Sequence, residues 1–205
     1  MTFPGSWSDF IPSWWQITLM GEPTLMIPLS LMIIFWLRSA CGPKFGLWWG
    51  SLLLIIVAIL ASQKILYYAF GLSLERIELY SVSGHAAISL YVYGSLGVII
   101  GRYIHPFLRV LLWLGTLALI GGIAISRLNI DAHRPAEIIL GLIIGSVVLI
   151  VFLRFIWPKA SSWLPIWTLA LPSLLIILVF YGHVFEFERI MRFIGRWLRP
   201  GVTFI

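Results

Sequence analysis

Polar, ionisable side chains stand at the edges of four long apolar runs. They are Lys64, the Ser83-Gly84-His85 step of SVSGHAAISL, the Ser126-Arg127 pair, and His133 with Glu137 in SRLNIDAHRPAE. Such groups are costly at membrane depth and point to function when they occur there. Lys64 and Arg127 supply positive charge, and the planar guanidinium fork of Arg127 matches a phosphate. Gly84 leaves an anion room to reach the amides at a helix start, where the helix dipole also favours negative charge. Ser83 adds a hydroxyl donor. Together these residues form a cradle for an oxyanion or phosphate. His133 and Glu137 suit a base and its orienting carboxylate. Pro135 presets the first helical turn, so the Glu137 carboxylate can turn back toward residues just before the helix. His85 then stands opposite as a proton donor. Each group has a plainer reading when taken singly. His85 can be an interfacial histidine bonded to a carbonyl, His133 with Glu137 a helix cap with an i,i+4 ion pair, and Lys64 a snorkelling lysine. Their convergence favours the chemical reading.

The elements that must position them follow from composition. Hydrophobic residues make up 60% of the 205, and charged residues 11%, far below the roughly 25% charged of a soluble domain. Mean hydropathy is +1.01. The apolar residues come in blocks, so the expected fold is an all-α polytopic membrane protein. Six spans are expected, at about 23–37, 46–66, 84–101, 107–126, 137–156 and 163–181. Residues 7–20, rich in Trp, read as an N-terminal interfacial segment. The C-terminal tail, with Arg189, Arg192, Arg196 and Arg199, reads as a basic amphipathic helix on the membrane surface. The Gly121-Gly122 pair is expected to allow close helix approach. The N-terminus lacks a basic n-region and a small-residue cleavage site, so no removable signal peptide is expected. The lone Cys41 excludes an internal disulfide and a multi-thiolate metal site. The net charge of +6 is explained by lipid head groups and topology rather than by nucleic acid.

Six spans put both termini and the loops 67–83 and 127–136 on one side. The loops on the other side carry Arg38, Lys44, Arg102, Arg109, Arg154 and Lys159 without an acidic residue. The positive-inside rule makes that second side cytoplasmic. Every polar group named above then falls on the exoplasmic side.

The segments SVSGHA and SRLNIDAHRPAE resemble the second and third signature motifs of the type 2 phosphatidic acid phosphatase superfamily. Ser126, Arg127, His133 and Glu137 match the third motif's spacing, with Glu137 where that family has Asp. Val82 stands where the second motif has proline. Lys64 matches the lysine of the first motif, but Gly71 and Leu72 replace its Arg-Pro. The resemblance covers a motif core from about residue 64 to 141 within one membrane-embedded domain, 1–205. It implies a metal-independent phosphatase without a cofactor, working through a phosphohistidine on His133. Glu137 would be the partner of that histidine, and His85 the proton donor and later the base for water. Lys64, Ser83, Gly84 and Arg127 would bind the phosphoryl oxygens. Arg76 and Arg134 are further candidates for phosphate contact, though each also reads as a solvated or headgroup-facing cation.

The expected function is removal of phosphate from a lipid phosphate or diphosphate in the bilayer. Undecaprenyl diphosphate, phosphatidylglycerol phosphate, phosphatidic acid and lipid A phosphates are the candidates. The expected location is a bacterial inner membrane, with the site toward the periplasm. A phosphotransferase on the same fold and an inactive lipid-phosphate binder or transporter are the competing readings.

Overall fold

The computed structural model describes residues 13–73, 79–157, 161–184 and 187–198. Eight α-helices are present among them: α1 Trp14–Leu19, α2 Pro23–Ala40, α3 Pro43–Phe70, α4 Gly84–Gly101, α5 Pro106–Asn129, α6 Pro135–Val151, α7 Trp167–Phe180 and α8 Phe187–Trp197. Local chemistry sets their ends. Pro23, Pro43, Pro106 and Pro135 occupy the first helical turn, where a missing N–H costs nothing and φ is already helical. Gly71 closes α3 at φ 67°, a left-handed conformation that a glycine adopts without steric cost.

The chain is an integral membrane protein of all-α type. Among the described residues, five stretches are long and apolar enough to cross a bilayer, Trp14–Ala40, Pro43–Phe70, Gly84–Gly101, Pro106–Asn129 and Pro135–Ile156. The last combines α6 with a π-helical turn, Phe152–Ile156. Their outward faces carry apolar side chains such as Leu54, Leu117 and Ile150, as a lipid solvent requires. The sixth expected span is shorter than its apolar run. α7 has 14 residues because Leu164-Pro165-Ile166 forms a turn first, with Thr168 N–H donating to Pro165 O. It still reaches from one end of the bundle to the other. At one end Trp163 N–H donates to Ala40 O, and Trp36 Nε1 to Thr168 Oγ1. At the opposite end Tyr181 Oη donates to Gln16 O. The antiparallel course of α7 beside α1–α2 therefore returns the chain to the side where α1 begins.

Two expectations about flanking elements change. The N-terminal segment does not lie free in the interface. α1 packs on α5, with Thr18 fully buried, and a short turn at 20–22 continues into α2. A hydroxyl at position 18 and an apolar Ile17 facing the bundle give α1 an inner face that its tryptophans conceal in sequence. Residues 7–12 of that segment lie outside the described residues. The close approach expected at Gly121-Gly122 is found elsewhere. A Cβ at Gly121 would meet open space, and one at Gly122 only ordinary contact with Ile17. Gly141 and Gly145 of α6 are instead pressed on α4. A Cβ there would lie 2.6 Å from Ser83 O and 2.5 Å from Ala87 O. This small-xxx-small face lets two backbones touch, and it fixes the start of α4 against the start of α6.

α4 is the central and most enclosed helix. Trp49 Nε1 donates to Ser95 Oγ at 2.9 Å, and Tyr91 Oη to Trp49 O at 3.0 Å, with the two rings stacked at 4.8 Å. Tyr93 Oη donates to Met20 O at 2.8 Å. These bonds satisfy polar atoms that lipid could not, and they lock α4 to α3 and to the α1–α2 turn.

Candidate active site

The end of α3, the starts of α4 and α6, the end of α5 and the α1–α2 turn meet on one side of the bundle. They surround a cavity of about 1180 Å³. Lys64, Gly84, His85, Arg127, His133, Arg134 and Glu137 all line it. Ser83 lies behind this surface. It is fully buried and caps α4, its hydroxyl accepting from Ala86 N–H at 3.5 Å. Arg76 lies outside the described residues.

His133 reaches the cavity because α5 ends in a tight wrap. Ile130 N–H donates to Ser126 O, and both Ala132 and His133 N–H donate to Arg127 O. Asp131 takes φ 53° in this wrap, a conformation that Asp tolerates better than most residues. Glu137 then organises the floor. Its Oε2 accepts from His133 Nδ1 at 2.7 Å and from Arg134 N–H at 3.1 Å. Its Oε1 accepts from Tyr80 N–H at 2.9 Å and Ser81 N–H at 2.6 Å. A carboxylate only accepts, so the His133 ring proton is held on Nδ1 and the lone pair is left on Nε2. That is the tautomer a nucleophilic imidazole needs.

The 80–83 loop is clamped from its other side by Gln63. Gln63 Nε2 donates to Tyr80 O at 2.7 Å, and its Oε1 accepts from Val82 N–H at 2.9 Å. A proline at 82 would have no N–H to give. Val82 is therefore paired with Gln63 through an N–H that a proline at this position could not supply. Lys64, one residue on, is buried, and its Nζ donates to Ser81 Oγ at 3.4 Å. Arg127 donates from Nη1 to Thr18 Oγ1 at 3.2 Å, so α1 helps to hold it at the cavity.

Sequence reasoning missed Glu22. Its Oε1 lies 3.0 Å from His85 Nε2, and both side chains are largely enclosed. Gly21 makes the approach possible, since a Cβ there would fall 2.9 Å from Ile123 Cγ2 and 3.1 Å from His85 Cδ2. The signal was a carboxylate at the edge of the first apolar run, in GEPTLM, which is the position that marks functional groups elsewhere in this chain. The site thus contains two histidine–carboxylate pairs, His133 with Glu137 and His85 with Glu22. The Glu22 carboxylate fixes the His85 ring through Nε2 and so orients it at the cavity wall.

Glu22→Gln keeps the shape and removes the charge. Turnover of an alkyl phosphate ester is expected to fall about tenfold, less than the roughly 10²–10⁴-fold of a whole general acid because His85 itself remains. The initial burst of nitrophenol from an aryl phosphate, whose leaving oxygen needs no proton, is expected to survive. Equal losses on both substrates in rapid-quench kinetics would exclude an effect through His85.

Away from the polar floor the cavity continues as a groove between α2 and α3. It passes Ile27, Leu31 and Leu54 and reaches Gly46 and Leu47 near the far end of α3. From Lys64 to Gly46 the helix rises roughly 27 Å, at 1.5 Å per residue, so the groove is nearly as long as a bilayer core is thick.

Residues 68–161 match the model of the PAP2 superfamily. The matched segment holds α4, α5 and α6, and with them His85, Arg127, His133 and Glu137; Glu22, Lys64 and α8 lie outside it. The chain is similar to "Uncharacterized 22.5 kDa protein in cps region" of Klebsiella pneumoniae, at 27% identity over 137 residues. That alignment covers 65% of this chain and 65% of the relative, so the chain spans just under two thirds of its length. No solved structure matches the chain. Over residues 68–161, the segment that carries His85, Arg127, His133 and Glu137, the chain is similar to the PAP2 superfamily.

Proposed function

We propose that the protein is a lipid phosphatase that removes phosphate from a lipid phosphate or diphosphate through a phosphohistidine. The observation that carries this reading is the pair of histidines, each with its own carboxylate, lining one cavity with Lys64 and Arg127. The match of residues 68–161 to the PAP2 superfamily supports phosphatase activity in general. The apolar groove that leads from the polar floor between α2 and α3 supports a lipid tail as the rest of the substrate.

The chemistry proceeds in two displacements. The Nε2 lone pair of His133 attacks phosphorus while the bond to the leaving oxygen breaks, and His85 gives that oxygen its proton. Glu137 holds the Nδ1 proton and stabilises the cationic ring of the intermediate. Lys64, Arg127 and the amides at the start of α4 bind the phosphoryl oxygens as charge develops on them. His85, now neutral, takes a proton from water. The resulting hydroxide attacks phosphorus, the P–N bond breaks, its electrons return to Nε2, and inorganic phosphate leaves. No step calls for a metal.

The test is phosphate release by the purified protein from a panel of lipid phosphates and diphosphates, with chelator present. Phosphate freed by the native protein and not by His133→Ala supports hydrolysis. Label appearing on an added alcohol instead would favour the phosphotransferase reading, and tight binding without turnover the inactive binder. The orientation proposed is the one set by the basic loops, with the site facing the periplasm of a bacterial inner membrane. Cys41, in the loop between α2 and α3 at the opposite end, should then escape an impermeant maleimide in intact cells. Its labelling there would reverse the orientation.

A further inference from the structure

The basic C-terminal helix does not stand apart from the site. α8 packs along the last turns of α3, and a Cβ at Gly195 would run into the Tyr68 side chain and the Ala69 backbone. Its residues divide among three faces at helical spacing. Met191, Ile194 and Gly195 turn toward α3, with Met191 and Gly195 buried. Ile190, Phe193 and Trp197 are exposed and apolar, which suits contact with lipid. Arg189, Arg192 and Arg196 share the third face. They line a pocket of about 510 Å³ over Tyr68. Arg189 and Arg192 also line the large cavity that holds His85, Arg127 and His133. A helix serving only as a bilayer anchor has no need to turn its arginines into the cavity.

We propose that Arg189 and Arg192 form a second anion subsite of this cavity, holding a phosphate of the substrate other than the one transferred. The subsite makes lipid diphosphates the favoured substrate class over lipid monophosphates. It rests on the phosphatase reading above and assigns that site its headgroup. The transferred phosphoryl lies on the floor, at Lys64, Arg127 and His133. The neighbouring phosphate lies at the rim, where planar guanidinium groups bind its oxygens in pairs.

Binding to the full-length protein in detergent tests this, with His133→Ala in the background so that no turnover intervenes. The probes are inorganic diphosphate and inorganic phosphate, each alone. Diphosphate is expected to bind at least about tenfold more tightly, from two added charge-assisted contacts. Adding Arg189→Gln with Arg192→Gln should bring the two constants to within about twofold, while phosphate affinity changes less than about threefold. A preference that survives the paired substitution would overturn the proposal, as would no preference in the parent. Reduced binding of that variant to vesicles of anionic lipid, with the diphosphate preference intact, would likewise show α8 to be an anchor and overturn it. Decyl diphosphate should bind more tightly than the free ion through the α2–α3 groove. Equal binding would overturn the lipid assignment. Failure of the native protein to release phosphate from any lipid would sink the phosphatase reading, whereas the binding ratio judges the subsite independently.

Discussion

His133→Ala is expected to lower kcat/KM on a lipid phosphate by at least about 10³-fold, as loss of an activated nucleophile does elsewhere. The loss should fall on kcat. Lys64, Arg127 and the α4 amides remain in place to bind the phosphoryl group, so KM should change little. The fold should persist as well. His133 sits on the cavity surface, and its N–H bond to Arg127 O belongs to the backbone. Steady-state phosphate release together with thermal unfolding in detergent checks both points. Activity within tenfold of the native protein would remove His133 from the role of nucleophile.

Glu137 carries a different burden, and its substitution should show in stability as well as rate. Its carboxylate accepts from one ring N–H and three backbone N–H groups. Glu137→Ala leaves these four donors without that acceptor. Each unsatisfied buried donor costs about 1–3 kcal/mol, so the variant should lose about 3 kcal/mol or more. The 80–83 loop would lose one of its two clamps, and His133 would lose its tautomer. The expected fall in kcat is about 10³–10⁴-fold, approaching the roughly 10⁴-fold seen when the orienting carboxylate of a catalytic triad is removed. Glu137→Asp is the informative companion. The longer Glu side chain bridges the loop with Oε1 and His133 with Oε2. A shorter Asp cannot keep both spans, so it should retain more activity than Ala while still lowering the unfolding temperature. An Ala variant as stable as the native protein would mean that the loop does not depend on this carboxylate.

Much of this was legible in the sequence because membrane proteins reveal their polar residues by contrast. In lipid-facing helices a charged group at a span end has few structural explanations. Lys64, Gly84, His85, Arg127, His133, Arg134 and Glu137 were named from their places along the chain, and the fold gathers all seven around one cavity. The spans were legible for the same reason, as continuous apolar runs. Glu22 was not found because its partner lies 63 residues away, at His85. Periodicity reports the face a residue takes on its own helix and says nothing of which distant helix end arrives beside it. Gln63 was missed for a similar reason. Its two bonds go to the backbone of residues 80 and 82, and backbone partners leave no mark in a sequence. Ser83 shows the converse. Its place in the motif suggested a phosphate donor, while in the fold its hydroxyl is turned to the cap of α4. The tail arginines illustrate how amphipathic spacing is read. The pattern correctly gave a basic helix, α8, with apolar and cationic faces. It placed the tail on the membrane surface, whereas α8 packs on α3 and its Arg189 and Arg192 line the cavity; Arg199 lies outside the described residues.

The most direct test of a phosphohistidine at His133 is to trap it. Lipid phosphate labelled with ³²P, mixed with the protein for milliseconds and quenched in alkali, should leave label on the protein. That label should be stable in base, labile in acid, and confined to the peptide containing His133. It should accumulate further in His85→Ala when the substrate is an aryl phosphate, since the first displacement then needs no acid and the second has lost its base. Phosphate released by the native protein with no protein-bound label at any time, or with label that persists in His133→Ala, would contradict the account.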